Sequence, residues 1–115
     1  METLRFFWKK QYRIRSSVEF KTIQRSGKKL REPHLLALAL PSDGQSRIGI
    51  TVSKKVGNAV VRNKVKRFLR EVIRHEYPTL CAGWKIVLIA HPNAASASQA
   101  ELCKSVRRIF SRLAS

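Results

Sequence analysis

The chain has 115 residues, enough for one domain with a real core and too few for two. It carries 24 Lys and Arg against 7 Asp and Glu, a formal charge of +17, while a hydrophobic fraction of 43% argues for a folded globule. That balance points to a polyanionic partner, nucleic acid before anionic membrane, and no apolar run approaches the ~20 residues that span a bilayer.

The segment up to Arg15 is basic and aromatic without a clear period, and residues 1–12 read as an extended arm. It has no apolar core followed by a small-residue cleavage site, so a secretory signal is not expected. Ser16 and Glu19 have the spacing of a capping box, opening a short helix that carries Val18, Phe20 and Ile23 and that Gly27 would end in the left-handed conformation. Phe20 suits a core position, and beside Arg13, Arg15 and Lys21 it also suits stacking on a base. Lys28–Arg31 is short and polar, an edge strand, and Glu32-Pro33 breaks it.

His34–Leu40 is an apolar run of strand length, Pro41–Gly44 is a turn, and Arg47–Val52 alternates with Ile48, Ile50 and Val52 on one side. Two strands joined so closely are expected to pair as an antiparallel hairpin. Ser53–Asn58 is then a loop in which Gly57 permits close backbone approach and Asn58 is the N-cap of the next helix.

Thr51–Glu76 holds that helix and the densest charge. Val61, Val65, Phe68, Leu69, Val72 and Ile73 recur at steps of three and four and gather on one face. Arg62, Asn63, Lys66, Arg67, Arg70 and Arg74 gather on the other, with Lys54, Lys55 and Lys64 completing the basic set. A charged face is most often simply solvated. Here Glu71 and Glu76 are the acids available to it, so the pairing at i,i+4 that usually steadies such a face is largely missing, and like charges at that spacing repel by a few tenths of a kcal/mol per pair. A partner supplying negative charge would relieve that repulsion.

Pro78 closes this region. Trp84–Ala90 is a buried strand, His91-Pro92-Asn93 ends it, and Ser98 with Glu101 forms a second capping box. The last helix turns Leu102, Val106, Ile109, Phe110 and Leu113 inward and Lys104, Arg107, Arg108 and Arg112 outward. The order is that of an α+β sandwich, helices packed on a small sheet, with no internal repeat or linker.

A catalytic constellation is not legible. The acids are scattered, His34, His75 and His91 lack metal-ligand spacing, and Cys81 and Cys103 stand alone, with reduced thiols the default. Ser53–Asn58 has one glycine and is no phosphate loop of the Gly-rich kind. The pattern is that of a binder.

The run Ser53–Glu71, SKKVGNAVVRNKVKRFLRE, resembles the signature of the bacterial ribonuclease P protein subunit, including its Arg-Asn-Arg/Lys element at Arg62-Asn63-Lys64. The likeness extends over roughly residues 9–113, through the Arg13-x-Arg15 element and Glu19-Phe20. The resemblance implies an αβββαβα sandwich with a mostly antiparallel sheet and a left-handed βαβ crossover, where general rules favour the right-handed form. It implies a protein that lacks catalytic residues of its own and assists a catalytic RNA in removing the 5′ leader of precursor tRNA, with magnesium held mainly by RNA and substrate phosphates. The implied partners are that RNA and the leader, bound by a monomer in a 1:1 complex in the bacterial cytoplasm, with no membrane.

Carried over by position, Lys54, Lys55, Asn58, Arg62, Asn63, Lys64, Lys66, Arg67 and Arg70 would contact RNA, and Arg13, Arg15, Phe20 and Leu38 would line the leader-binding cleft. This chain departs from the resemblance at Gln24 and Leu36–Leu38, where many members have aromatics, so electrostatics would carry more of the leader contact. A ribosomal or RNA-chaperone protein would share the charge and the build without enhancing precursor-tRNA cleavage. A membrane-surface peptide would share the basic helices but not the apolar strands.

Overall fold

The computed structural model describes residues 13–114 apart from Arg15, so the expected arm over residues 1–12 and the Arg15 assignment lie outside the described residues. The elements run α1 (Ser17–Ser26), β1 (Lys28–Arg31), β2 (Leu35–Pro41), β3 (Arg47–Thr51), α2 (Ala59–Glu76), β4 (Trp84–Ala90) and α3 (Gln99–Ala114), with short 3-10 turns flanking β4 at Tyr77–Thr79 and Pro92–Ser96. This is the expected αβββαβα order.

The four strands lie in the order β1-β2-β4-β3, with β1–β2 and β2–β4 antiparallel and β3–β4 parallel. The hairpin expected between β2 and β3 therefore does not form: β4 sits between them. The reason lies in the strand compositions. β4 is apolar along nearly its whole length and needs cover on both faces, which only a central position supplies, whereas β3 alternates and tolerates an edge. Neighbouring strands are about 4.8 Å apart, so the connection from Pro41 to Arg47 has to step across roughly twice that distance. Its backbone is held to the approach of β4, Ser42 N–H donating to Gly83 O (2.8 Å) and Gly83 N–H to Gly44 O (3.0 Å). Buried Ser46 completes the junction: its hydroxyl donates to Cys81 O (2.7 Å) and accepts from Trp84 N–H (3.0 Å), and the Tyr77 hydroxyl donates to its carbonyl.

The register sorts side chains into rows that alternate between the two faces of the sheet. Leu30, Ala37, Leu88 and Ile50 form one row, and Ala39, Ile86 and Ile48 another. These face α2 and α3, whose stripes (Val65, Leu69, Val72 and Ile73; Leu102, Val106, Ile109, Phe110 and Leu113) complete the main core. The opposite face carries Leu38, Val87 and Gly49 in one row, roofed by α1 through Ile23 and Phe20 into a smaller second core with Ile14. Helices thus cover both faces of the sheet, two on one and one on the other.

The caps follow the sequence in part. Ser98 and Glu101 bond reciprocally, Ser98 N–H to Glu101 Oε1 (2.9 Å) and Glu101 N–H to Ser98 Oγ (3.1 Å), and Asn58 Oδ1 accepts Val61 N–H (3.0 Å) at the start of α2. At α1 only half of the box closes. Glu19 N–H meets Ser16 Oγ (3.4 Å), but the Glu19 carboxylate turns instead to Arg47 and Lys85 on the sheet. Gly27 is not left-handed; it is extended (φ −74°), and it is glycine because a Cβ there would sit 2.5 Å from Ile23 O. Val18, one of the apolar residues carried by α1, is 71% exposed.

Candidate nucleic-acid interface

Two surfaces hold most of the described residues singled out from the sequence. The first is the loop 53–58 with the face of α2 turned away from the core. Gly57 lets the loop close on the helix, since a Cβ there would lie 2.9 Å from Val61 Cβ, and Arg62 folds back so that its Nε donates to Gly57 O (3.2 Å). Lys54, Lys55, Asn58, Asn63, Lys64, Arg67 and Arg70 are exposed, and Arg62 and Lys66 are half-buried. Along a helix ~27 Å long this places cations over the reach of several phosphates.

What distinguishes this surface, among the described residues, is the lack of acids paired with its cations. The two carboxylates of α2 are engaged at its C-terminal end: Glu71 with Arg74 (2.7 Å), and buried Glu76 with Arg107 of α3 (2.9 Å). Elsewhere Glu19 binds Arg47 (2.7 Å) and Lys85 (3.2 Å), and Glu32 binds Arg108 (3.0 Å) and Arg112 (3.3 Å). Among the described residues no ion pair reaches Lys54, Lys55, Lys64, Lys66, Arg67 or Arg70. The first turn of α2 also holds no acidic side chain, leaving the positive end of its dipole uncompensated.

The second surface is a groove of about 400 Å³ along α1, lined by Ser17, Phe20, Lys21, Gln24 and Thr51. The row beyond the α1 roof, Arg31–Leu36–Ile89–Thr51, runs across all four strands on this face. Leu36, Ile89 and Thr51 are half-buried and Arg31 is exposed, so an apolar strip ends at a cation. Phe20 is shared between core and surface. Its ring packs on Gly49, where a Cβ would come within 2.6 Å of Cζ, and the half-exposed ring still lines the groove. Leu38 does not line it: Leu38 is 4% exposed, sealed beneath α1 with Ile23 and Val87, because it lies one row further in. Arg13 is half-buried, bridged to Ile48, and its carbonyl accepts from Arg47 Nη2 (3.1 Å).

The family model named Ribonuclease P matches residues 8–114. The chain belongs to the ribonuclease P protein family. It is 38% identical to the ribonuclease P protein component of Exiguobacterium sibiricum over 106 residues, covering 90% of this chain and 91% of the relative. Among solved structures it resembles a Staphylococcus aureus RNase P protein mutant with defective mRNA degradation activity (TM-score 0.82, 28% identity, 90% and 89% of the two chains covered). It also resembles the RNase P protein from Thermotoga maritima (TM-score 0.79, 28% identity, 87% and 96% covered).

In this member of the ribonuclease P protein family, several carboxylates are held by neighbouring cations or helix caps. The Arg47 guanidinium, aided by Lys85, keeps the Glu19 carboxyl below the usual carboxylate range, and Arg74 does the same for Glu71. The Ser98 backbone N–H lowers Glu101. Burial and the nearby Glu76 charge push the Cys103 thiol up, and its Sγ donates to Glu76 Oε2 (3.6 Å); Cys81 and Cys103 are both free thiols. Among the described residues no three His, Cys, Asp or Glu side chains converge on a point where a metal ion could sit, and no helix is long and apolar enough to cross a membrane. Sequence reasoning missed Thr51 as a groove residue, and Arg31 and Ile89 as members of the row it ends. Their signal is the strand register, which appears only once β4 is placed at the centre.

Proposed function

We propose that this chain is the protein subunit of a bacterial ribonuclease P, working in the cytoplasm as one copy beside one catalytic RNA. The loop 53–58 and α2 engage that RNA, and the groove along α1 takes the single-stranded 5′ leader of precursor tRNA. The observation that carries the reading is the set of cations at Lys54, Lys55, Lys64, Lys66, Arg67 and Arg70, which no carboxylate answers among the described residues. A folded protein keeps such a set at the cost of mutual repulsion unless an external polyanion offsets it.

The mechanism is then electrostatic and positional. Ribozyme and substrate are both polyanions, and a +17 domain lying between them releases counterions from each and lowers their repulsion. Lys21 in the groove and Arg31 at the end of the adjoining row face the leader backbone, while Phe20 in the groove and Leu36 and Ile89 in that row offer apolar surface to its bases, a sequence-tolerant arrangement with one aromatic ring. Magnesium, held by RNA and substrate phosphates, would supply the cleavage chemistry, while among the described residues Glu19, Glu32, Glu71 and Glu76 are engaged in ion pairs within the fold.

Reconstitution tests the proposal. A bacterial ribonuclease P RNA and a 5′-extended precursor tRNA, mixed at low magnesium, should yield the mature 5′ end only when the protein is added. Tight RNA binding with no gain in cleavage would assign the chain an RNA-chaperone role instead.

A further inference from the structure

Phe68 belongs by its spacing to the buried stripe of α2, yet it lies at the margin, half exposed, with one side packed on the main core. The Lys64 ammonium lies 5.6 Å from its ring centroid and the Arg67 guanidinium carbon 5.9 Å. Both cations are exposed, and neither has a carboxylate partner among the described residues, so the electron-rich ring is the attraction open to them. Spaced three apart on a helix, Lys64 and Arg67 would otherwise repel and spread. Lys66 and Arg70 stand on the opposite flank of α2, about half a helical turn from the ring.

We infer that Phe68 is a positioning residue for RNA: its ring gathers Lys64 and Arg67 before binding, so that the pair meets neighbouring phosphates already ordered. This rests on the reading of α2 as an RNA-binding face. Long side chains lose rotamer freedom when they engage a partner, and an interaction that restricts them beforehand reduces that loss. The ring is anchored in the core, which makes it a fixed point rather than another mobile group.

The test uses the full chain and a bacterial ribonuclease P RNA transcript at one fixed salt concentration, with thermal melting of each variant in parallel. Phe68→Leu removes the ring while keeping an apolar, helix-favouring side chain, and Phe68→Met is a second such change should the first melt early. Either should weaken binding about two- to fivefold, the size of an exposed cation–ring interaction, and Phe68→Tyr should restore it. The decisive readout is coupling. Lys64→Ala with Arg67→Ala should cost less in the ring-less background than beside Phe68, by that same factor. Lys66→Ala with Arg70→Ala should cost the same fold in both backgrounds, whereas a merely structural role for Phe68 would move both flanks. Unchanged affinity without the ring, or equal effects on the two flanks, overturns the inference. If Lys64 and Arg67 prove irrelevant to binding beside an intact Phe68, the RNA-binding reading of this part of α2 has failed, and the inference falls with it.

Discussion

Helices α2 and α3 pack against each other on one face of the sheet, and each sends an apolar stripe into the same core beneath a strongly basic outer face. On α3 the arginines have partners. Arg107 reaches Glu76 on α2, and Arg108 and Arg112 close on Glu32 at the end of β1. On α2 the cations before Glu71 reach no carboxylate among the described residues, and two of them settle on an aromatic ring. Two helices of similar composition therefore differ in what their charge does: on α3 it fastens elements of the fold, and on α2 before Glu71 it meets no carboxylate among the described residues. Where the few acids go, more than where the many bases are, sets the two helices apart.

The buried sides should not distinguish the helices. Leu69→Ala in α2 and Ile109→Ala in α3 each remove a fully buried side chain and should each cost about 2–5 kcal/mol in a denaturant titration. A large inequality would mean the two stripes do not share one core. The outer sides should separate sharply. Arg67→Ala with Arg70→Ala should weaken binding to a ribonuclease P RNA and flatten the log–log salt dependence by about one unit for each phosphate no longer neutralised, with stability changed by no more than about 0.5 kcal/mol. An unchanged slope would remove α2 from the interface.

The converse change on α3 should do the reverse. Arg108→Ala with Arg112→Ala leaves the nearly buried Glu32 carboxylate without its cations, and should lower stability by about 1 kcal/mol while leaving the salt slope of RNA binding as it was. A slope that falls as it does for α2 would erase the distinction between the helices. The smallest effect concerns Glu19, which ties α1 to the sheet through Arg47 and Lys85. Its folded-state pKa lies below the ordinary value, so its contribution is complete above the ordinary carboxylate pKa of about 4.3 and fades as pH falls through the lowered one. Glu19→Gln should therefore reduce stability at neutral pH and narrow its gap from the parent chain in acid, as thermal melts across that range would record.

Much of this was legible from residue order. The helical stripes, the reciprocal Ser98–Glu101 cap, the Asn58 cap and the strand limits within a residue or so are local matters, governed by side-chain period and by hydrogen bonds a few residues apart. So was the basic segment 54–70, since charge density is a property of sequence alone. Strand pairing was not. The insertion of β4 between β2 and β3 depends on which strand needs cover on both faces, a competition settled only when all the strands assemble. The groove depends on the same outcome: with β4 in the centre, Leu36 and Ile89 fall in the open row and Leu38 in the sealed one, two residues further along the strand on the same face. Gly27 and Gly49 were likewise undecided by sequence, because the close neighbours that require glycine there, Ile23 O and the Phe20 ring, come from the packing of α1. Period and composition determined the elements and the sign of their partner; the tertiary structure decided which charges remained free to meet it, because long-range ion pairs form only between residues that the fold brings together.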